Sequence, residues 1–470
     1  MKVSNTVRAL LLQCATSALG KRFRHARQIQ GQAINAPGSD VTGWTALPTV
    51  PGAVINQVPV GGKNATLTTY QTDPNSYDES KILRAVIMVS GINRVAWNEW
   101  IFLNSSLQRA SQGGGVDPST VVLASPQFNI LEDAGAYPVD PITKEPTSNV
   151  MVWSDTEWGQ GGDAVFPTTA LMQGQPFSGS RGLSSGTSES TGYTGVDSNS
   201  TSTQTGPGLG SFDALDSLVA TYLNTTRFPK LNRVVIAGFS LGGQLVQRYS
   251  LLRNSTSQDS RMTYWISSPG SFLYLNDSRP DRIDRSCRST YNVYKYGLEG
   301  SFPTYVQNSQ ARVDSSTLGQ RLASRTVRYL VGLDDLIAGD GSCEARAQGP
   351  DHVRKMLNWA QYVAPYLPGA PDNGSLPSST TLSLIKNTPH SDIEVINSDP
   401  AVQTLFLEDY PSAGQTAAAP PSNGNSAGSP NDVKSAATSW RGPTSSSSSG
   451  HFLFISCFIF AVSLLQLLAM

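Results

Sequence analysis

Histidine is scarce in this chain. Its 470 residues contain four: His25, His352, His390 and His451. Any chemistry that needs an imidazole base has to draw on that short set. An excess of charge of one sign is also lacking, since 34 Lys and Arg stand against 35 Asp and Glu, a net charge of −1. Nothing in that balance points to nucleic acid or an anionic membrane surface as a partner. Cysteine is equally sparse, with Cys14, Cys287, Cys343 and Cys457 only. What is present is 39% hydrophobic and 15% charged residues, a composition that suits a globular body diluted by polar low-complexity stretches.

The two ends read as targeting signals. Residues 1–20 begin with Lys2 and Arg8, continue through a short apolar run and end in small residues, the order of a secretory signal peptide. Lys21 and Arg22 follow, so 21–45 reads as a basic pro-segment or flexible N-terminus. At the other end FLFISCFIFAVSLLQLLAM (452–470) is apolar and uncharged, with a polar spacer and small residues ahead of it. That layout fits a lipid-anchor signal removed when a GPI anchor is attached; a transmembrane segment over 451–470 is the alternative. The expected location is the secretory pathway and the outer face of the plasma membrane or the cell wall, with membrane contact through this terminus. Sequons at Asn64, Asn104, Asn199, Asn224, Asn254, Asn276 and Asn373 agree with a glycosylated secreted chain. Removal of both ends leaves Cys287 and Cys343, most simply one disulfide in an oxidising compartment, with two buried free thiols as the alternative.

Between the ends, polar residues 41–77 suit edge strands and turns. Apolar runs at 84–90, 120–128, 149–154, 233–238, 262–270 and 325–333 read as strands covered on both faces. Helical spacing appears at 211–223, with Ser211 or Asp213 near its cap, and at 350–367, with Pro350 in the first turn. Strands alternating with helices predict an α/β fold with a mostly parallel sheet. Residues 173–210 are nearly all Gly, Ser and Thr and read as a surface insertion; 411–450 reads as a Ser/Pro/Ala-rich linker.

Three stretches match Gly-x-Ser-x-Gly: GLSSG (182–186), GFSLG (238–242) and GNSAG (424–428). The first lies in the insertion and the third in the linker, so neither joins a strand to a helix. GFSLG does, between RVVIA and GGQLVQRYSLL. A serine on such a turn projects its hydroxyl clear of the sheet, which makes Ser240 a candidate nucleophile. Gly238 and Gly242 are required where a Cβ would strike the neighbouring strand and helix. The Leu241 N–H, at the helix start, can stabilise an oxyanion.

Two histidines remain for the base, because His25 and His451 fall in the terminal segments. His352 opens a helix and reads as a solvated or capping residue. His390, in IKNTPHSDIEV, stands on a loop able to reach over the sheet edge and is the assigned base. The carboxylate that orients it is sought in VGLDDLIAGD, where Asp334, Asp335 and Asp340 follow a buried-type strand.

The chain resembles the α/β-hydrolase superfamily, and more narrowly is similar to secreted hydrolase-like proteins of fungi and plants. The resemblance is carried from about residue 84 to 408 by SGINRVAWNEW (90–100), SPQFNILEDAGAYP (125–138), VMVWSDTEWGQGGDA (150–164), FPKLNRVVIAGFSLGGQLVQRYS (228–250), SSPGSFLYL (267–275), YNVYKYGL (291–298), GLDDLIAGDGSCEARAQG (332–349) and TPHSDIEVINSDPAVQTLF (388–406). It implies an α/β-hydrolase domain over 46–410 and the chain order nucleophile, acid, base as Ser240, Asp335, His390. It also implies that Ile92 supplies a second oxyanion N–H, and it favours Asp335 over its neighbours. Cys343 follows the acid loop, so a bridge to Cys287 would pin that loop. Members often carry His-Gly where Ser90-Gly91 stands, His before the serine where Phe239 stands, and Asp directly after the base where Ser391 intervenes.

The expected function is therefore a secreted or cell-surface serine hydrolase acting on small-molecule or lipid-like carboxylic esters through an acyl-enzyme. This chemistry needs no metal or diffusible cofactor. The alternative is a non-catalytic hydrolase-like protein of the cell surface or wall.

Overall fold

The computed structural model describes residues 31–168 and 208–411, apart from 63, 113, 310–312, 365–366, 369 and 371–375. The expected signal, the expected insertion up to residue 207, nearly all of the expected linker and the apolar terminus lie outside these residues. Among those described, no helix is long and apolar enough to cross a membrane.

Eight strands form one sheet: β1 (Ala53–Pro59), β2 (Thr66–Thr72), β3 (Arg84–Val89), β4 (Val121–Pro126), β5 (Arg233–Phe239), β6 (Met262–Ser267), β7 (Thr326–Gly332) and β8 (Thr380–Ile385). Their spatial order is β1-β2-β4-β3-β5-β6-β7-β8. β1 and β2 pair antiparallel, as do β2 and β4, and every pairing from β4 to β8 is parallel. A mostly parallel eight-stranded sheet in this order, flanked by helices, is the α/β-hydrolase fold.

The continuous apolar runs are explained by cover on both faces. In β3, Ala85, Ile87 and Val89 enter one core cluster while Val86 and Met88 enter the other. β5 divides in the same way, with Val234 and Ile236 on one side and Val235, Ala237 and Phe239 on the other. Alternate side chains point to opposite faces, so a strand buried on both needs apolar residues at every position.

Helix α1 (Ala96–Gln112) follows β3, α2 (Ser211–Leu223) precedes β5, α3 (Leu241–Leu252) follows it, α4 (His352–Tyr362) follows the β7 loop, and the short α5 (Asp392–Ile396) follows β8. The spacing at 211–223 is realised in full, and Asp213 Oδ2 accepts from the Gly210 N–H at 2.8 Å to close its first turn.

Several expectations differ from the structure. The run at 149–154 forms the short strand Val152–Trp153, paired with Asn129–Ile130 outside the main sheet, and meets that sheet through one bridge from Val150 to Thr66. It is apolar because Met151 and Trp153 pack into one cluster and Val150 and Val152 into another. The helix expected over 350–367 spans His352–Tyr362; Asp351, not Pro350, starts it, accepting from the Arg354 N–H at 2.7 Å. Residues 34–45 are not a free leader. The Ile34 N–H donates to Asn98 Oδ1 at 2.8 Å, and the Trp44 ring meets Trp97 edge-on at 5.0 Å. Apolar side chains there reach a core that the charge pattern did not reveal. At the insertion's end Leu209 is buried, so the chain rejoins the core before position 210.

Candidate active site

The sharp turn at Ser240 follows from three glycines and their neighbours. A Cβ on Gly238 would lie 2.2 Å from the Gly242 carbonyl oxygen; on Gly242, 2.3 Å from that of Val89; on Gly243, 2.3 Å from that of Ser267. Backbone therefore occupies the space that any larger residue would need. Ser240 itself takes φ 56° and ψ −120°, a left-handed conformation unusual for a residue with a Cβ. Its N–H donates to the Ser267 carbonyl at 3.0 Å, which holds the turn against β6. Ser240 is half-buried and lines a 460 Å³ cavity together with Gly91, Ile92, Leu241, His352 and His390.

The loop after β3 comes close to the serine. A Cβ on Gly91 would sit 3.3 Å from Ser240 Cβ and 3.8 Å from its Oγ. Ile92 and Leu241, the two expected oxyanion donors, both line the cavity, Ile92 with its side chain about half exposed (51%). The Ile92 carbonyl accepts from Arg94 Nη1 at 2.8 Å, so a buried guanidinium braces this turn. Sequence reasoning gave Arg94 no role.

The acid and base loops are joined at the end of the sheet. The Leu333 N–H donates to the Ile385 carbonyl at 2.8 Å and that of Asp334 to Thr388 at 3.0 Å. Asp334 itself is exposed. Asp340 is drawn away to Lys295, whose Nζ stands 3.4 Å from its carboxylate. Asp335 is the one that turns inward: it is fully buried, and its Oδ2 accepts from His390 Nδ1 at 2.8 Å. An ionised carboxylate only accepts, so Nδ1 carries the proton and Nε2 is the basic nitrogen. The Phe239 ring lies 4.6 Å from the His390 ring. Ser391 has a structural task, since its Oγ caps α5 by accepting from the Glu394 N–H at 3.4 Å.

His352 is neither solvated nor capping. It is fully buried, and its Nδ1 donates to the second oxygen of Asp335 at 2.9 Å. Its ring stacks on that of His390 with centroids 4.3 Å apart and planes 9° from parallel. The burial of His352 has a physical cause. Lys355, one turn along α4, donates to the carbonyls of Gly270, Ala338 and Asp340 at 2.8, 2.7 and 2.8 Å, and so folds the acid loop over the helix start.

Electrostatics follow from these contacts. Burial alone would raise the Asp335 carboxyl, but the hydrogen bonds from His352 and His390 outweigh it and hold the group well below the usual carboxylate range. Burial lowers His352, against the pull of Asp335, so it is neutral at physiological pH. Burial brings Lys355 down to about 8. Asp335, His352 and His390 present atoms within 4.8 Å of one another, a spacing that a metal ion could also use. Here each Nδ1 is directed at its own carboxylate oxygen, and the arrangement is a hydrogen-bonded one.

One buried acid and one half-buried acid stand near His390 without any signal in the sequence. Glu99 on α1 is fully buried with neither carboxylate oxygen hydrogen-bonded, and Asp392, which lines the cavity, is the charge that acts on it. Burial first and then Asp392 push Glu99 well above its ordinary value. The expected Cys287–Cys343 disulfide is present, with Cα atoms 5.9 Å apart.

No protein-family model matches the chain, and no curated protein matches it. Solved structures resemble it. Poly(aspartic acid) hydrolase-1 from Sphingomonas sp. KT-1 is 14% identical, with a TM-score of 0.42 over 76% of this chain and 99% of that one. LpqC, a poly(3-hydroxybutyrate) depolymerase from Bordetella parapertussis, is 16% identical, with a TM-score of 0.43 over 77% and 92%. The siderophore hydrolase EstB from Aspergillus nidulans is 11% identical, with a TM-score of 0.36 over 77% and 98%. The order of the eight strands, not these likenesses, defines the fold. The case for chemistry lies in the chain's own side chains.

Proposed function

We propose that the chain is a serine hydrolase of carboxylic esters. One observation carries the reading: a serine held at φ 56° shares a cavity with a histidine whose Nδ1 is bonded to a buried carboxylate. His390 Nε2 takes the proton as Ser240 Oγ attacks the acyl carbon, and Asp335 stabilises the imidazolium so formed. The N–H groups of Leu241 and Ile92 receive the developing oxyanion. The same proton then goes to the departing alkoxide as the carbon–oxygen bond breaks, leaving an acyl-enzyme. Water, deprotonated by His390, attacks that ester and releases the acid, and the proton returns to Ser240. The side chains of Ile92, Val95, Phe239, Leu241 and Ile337 line the cavity, which suits an ester with an apolar acyl or alcohol group.

The test is covalent labelling of the full-length protein with a fluorophosphonate, followed by p-nitrophenyl ester hydrolysis. Labelling at Ser240 that disappears in Ser240→Ala is the expected result. An unlabelled protein, or equal labelling of the variant, would sink the proposal and favour the non-catalytic surface protein.

The same reading places the chain in the secretory pathway, held at the cell surface by a GPI anchor. The disulfide suits an oxidising compartment, and Asn64, Asn224, Asn254 and Asn276 are exposed. Asn104 is half-buried within α1, and Asn199 and Asn373 lie outside the described residues. Release from membranes by a phosphatidylinositol-specific phospholipase is expected; retention would favour a membrane span.

A further inference from the structure

We propose that His352 is a positioning residue for the reaction, acting through Asp335 to fix where the base His390 can stand. The inference rests on the hydrolase reading above and goes beyond it, because three groups suffice for acyl transfer and His352 is a fourth.

The geometry is specific. Each oxygen of Asp335 accepts from one imidazole, Oδ1 from His352 and Oδ2 from His390, at 2.9 and 2.8 Å. A carboxylate with one partner can exchange its oxygens by rotation about χ2; with both engaged, rotation breaks two charge-assisted bonds at once. His352 therefore decides which oxygen serves the base. The near-parallel stack at 4.3 Å adds a flat wall on which the His390 ring rests while its charge changes.

Most buried polar atoms in folded proteins are hydrogen-bonded. His352 Nε2 is buried and has no hydrogen-bond partner. The acid loop leaves room for this edge: a Cβ on Gly339 would fall 2.1 Å from that nitrogen, and Gly339 takes φ +62°. An unpaired acceptor next to an obligatory glycine disfavours folding. It is understandable where the other ring nitrogen has work on Asp335. The ionisable groups around the pair are Asp335 at the Nδ1 edge of both rings, Asp392 near His390, and Lys355 on α4, whose ammonium is engaged by three carbonyls.

Two substitutions separate the hydrogen bond from the ring. His352→Phe keeps the stack and loses the donor; His352→Asn keeps an N–H near the position of Nδ1 and loses the stack. With p-nitrophenyl acetate and purified full-length protein, His352→Phe should lower kcat about tenfold with little change in KM. The acidic limb of kcat/KM should also move to higher pH. A carboxylate relieved of one of its two donors is a stronger acceptor for the donor that remains. His352→Asn should restore the position of that limb and much of kcat. An enzyme with phenylalanine that matches wild type in both readouts, or an asparagine variant as impaired as the phenylalanine one, overturns the proposal.

The unsubstituted protein offers an independent measurement. Two imidazole Nδ1–H protons bonded to one carboxylate should give two low-field proton resonances, and a single one would contradict the shared carboxylate. These signals do not depend on turnover. If fluorophosphonate labelling fails while both resonances are present, the hydrolase reading falls and the shared carboxylate stands.

Discussion

The Arg94 guanidinium grips Asp133 through two hydrogen bonds, Nε to Oδ2 at 2.8 Å and Nη2 to Oδ1 at 3.0 Å, with both side chains buried. The pair is the rear support of the Gly91-Ile92 turn. Arg94 Nη1 reaches the Ile92 carbonyl, while Asp133 also accepts from the backbone N–H groups of Ile130 and Trp44, each at 2.9 Å. A turn intended to aim an N–H at an oxyanion must be rigid before substrate arrives, because reorganisation during the reaction would cancel the gain.

Loss of one partner strands the other in the interior. Asp133→Ala should destabilise the protein by about 3–5 kcal/mol, the usual consequence of an unpaired buried charge. Arg94→Lys, which keeps the charge but loses the fork, should cost less stability and still lower kcat about tenfold. Urea midpoints and ester turnover measure the two effects separately; an Arg94→Lys enzyme with unchanged kcat would remove Arg94 from the oxyanion argument.

Adjacent aspartates should behave very differently. Asp335→Asn forces a donor toward one imidazole and should lower kcat by about three to four orders of magnitude. Asp334 is exposed, and Asp334→Asn should stay within about twofold of wild type. Equal losses in the two variants would dismiss Asp335 as the acid.

Stability should respond to pH in two opposed ways. Asp335 is held below its unfolded value, so its contribution is complete above about pH 4 and disappears as pH falls through the folded value. Glu99 is raised, so the folded state binds its proton more tightly than the unfolded chain does. Its effect therefore runs the other way: stability declines as pH rises from about 4.5 toward the raised value. Glu99→Gln removes that decline. Denaturant unfolding at pH 5 and pH 8 should show the variant gaining on wild type at the higher pH, and a constant difference would mean that Glu99 is ionised in the fold.

The disulfide closes a loop with a sequence separation of 56. Cys287→Ser with Cys343→Ser should cost about 2–4 kcal/mol, mainly by freeing the unfolded chain. Because Cys343 follows the acid loop, the double variant should also lose activity at temperatures below its midpoint. Differential scanning calorimetry and activity read at one temperature series check both.

The elbow and its strands were legible because their causes are local. A run of apolar residues bounded by turns reveals a strand buried on both faces, and Gly238 and Gly242 stand where their own neighbours leave no space. The run at 149–154 shows the limit of that reasoning. Apolar residues report burial and not the extent of pairing: Val150 makes a single bridge to Thr66 of the main sheet, and the short strand that follows pairs outside it.

His352 was misread for a related reason. Its immediate sequence, Asp351 before and Val353 after, describes a helix start, where a polar ring usually meets water. Whether that start is open or roofed depends on a loop that Lys355 folds over it with three hydrogen bonds. Glu99 was passed over likewise, because an acid in a helix gives no sign that its face is turned to the core.

By itself the sequence determined the central strands β3 to β7, the helix at 211–223, the glycines of the turn at Ser240 and the small set of groups able to act as a base. Spacing, steric room and residue count are properties of the chain read in line. The tertiary structure alone decided which aspartate faces His390, that a second histidine shares it, and that a buried arginine braces the loop opposite Ser240. Those relations join residues far apart in the chain, and distance and burial between them exist only once the sheet has brought its strand ends together.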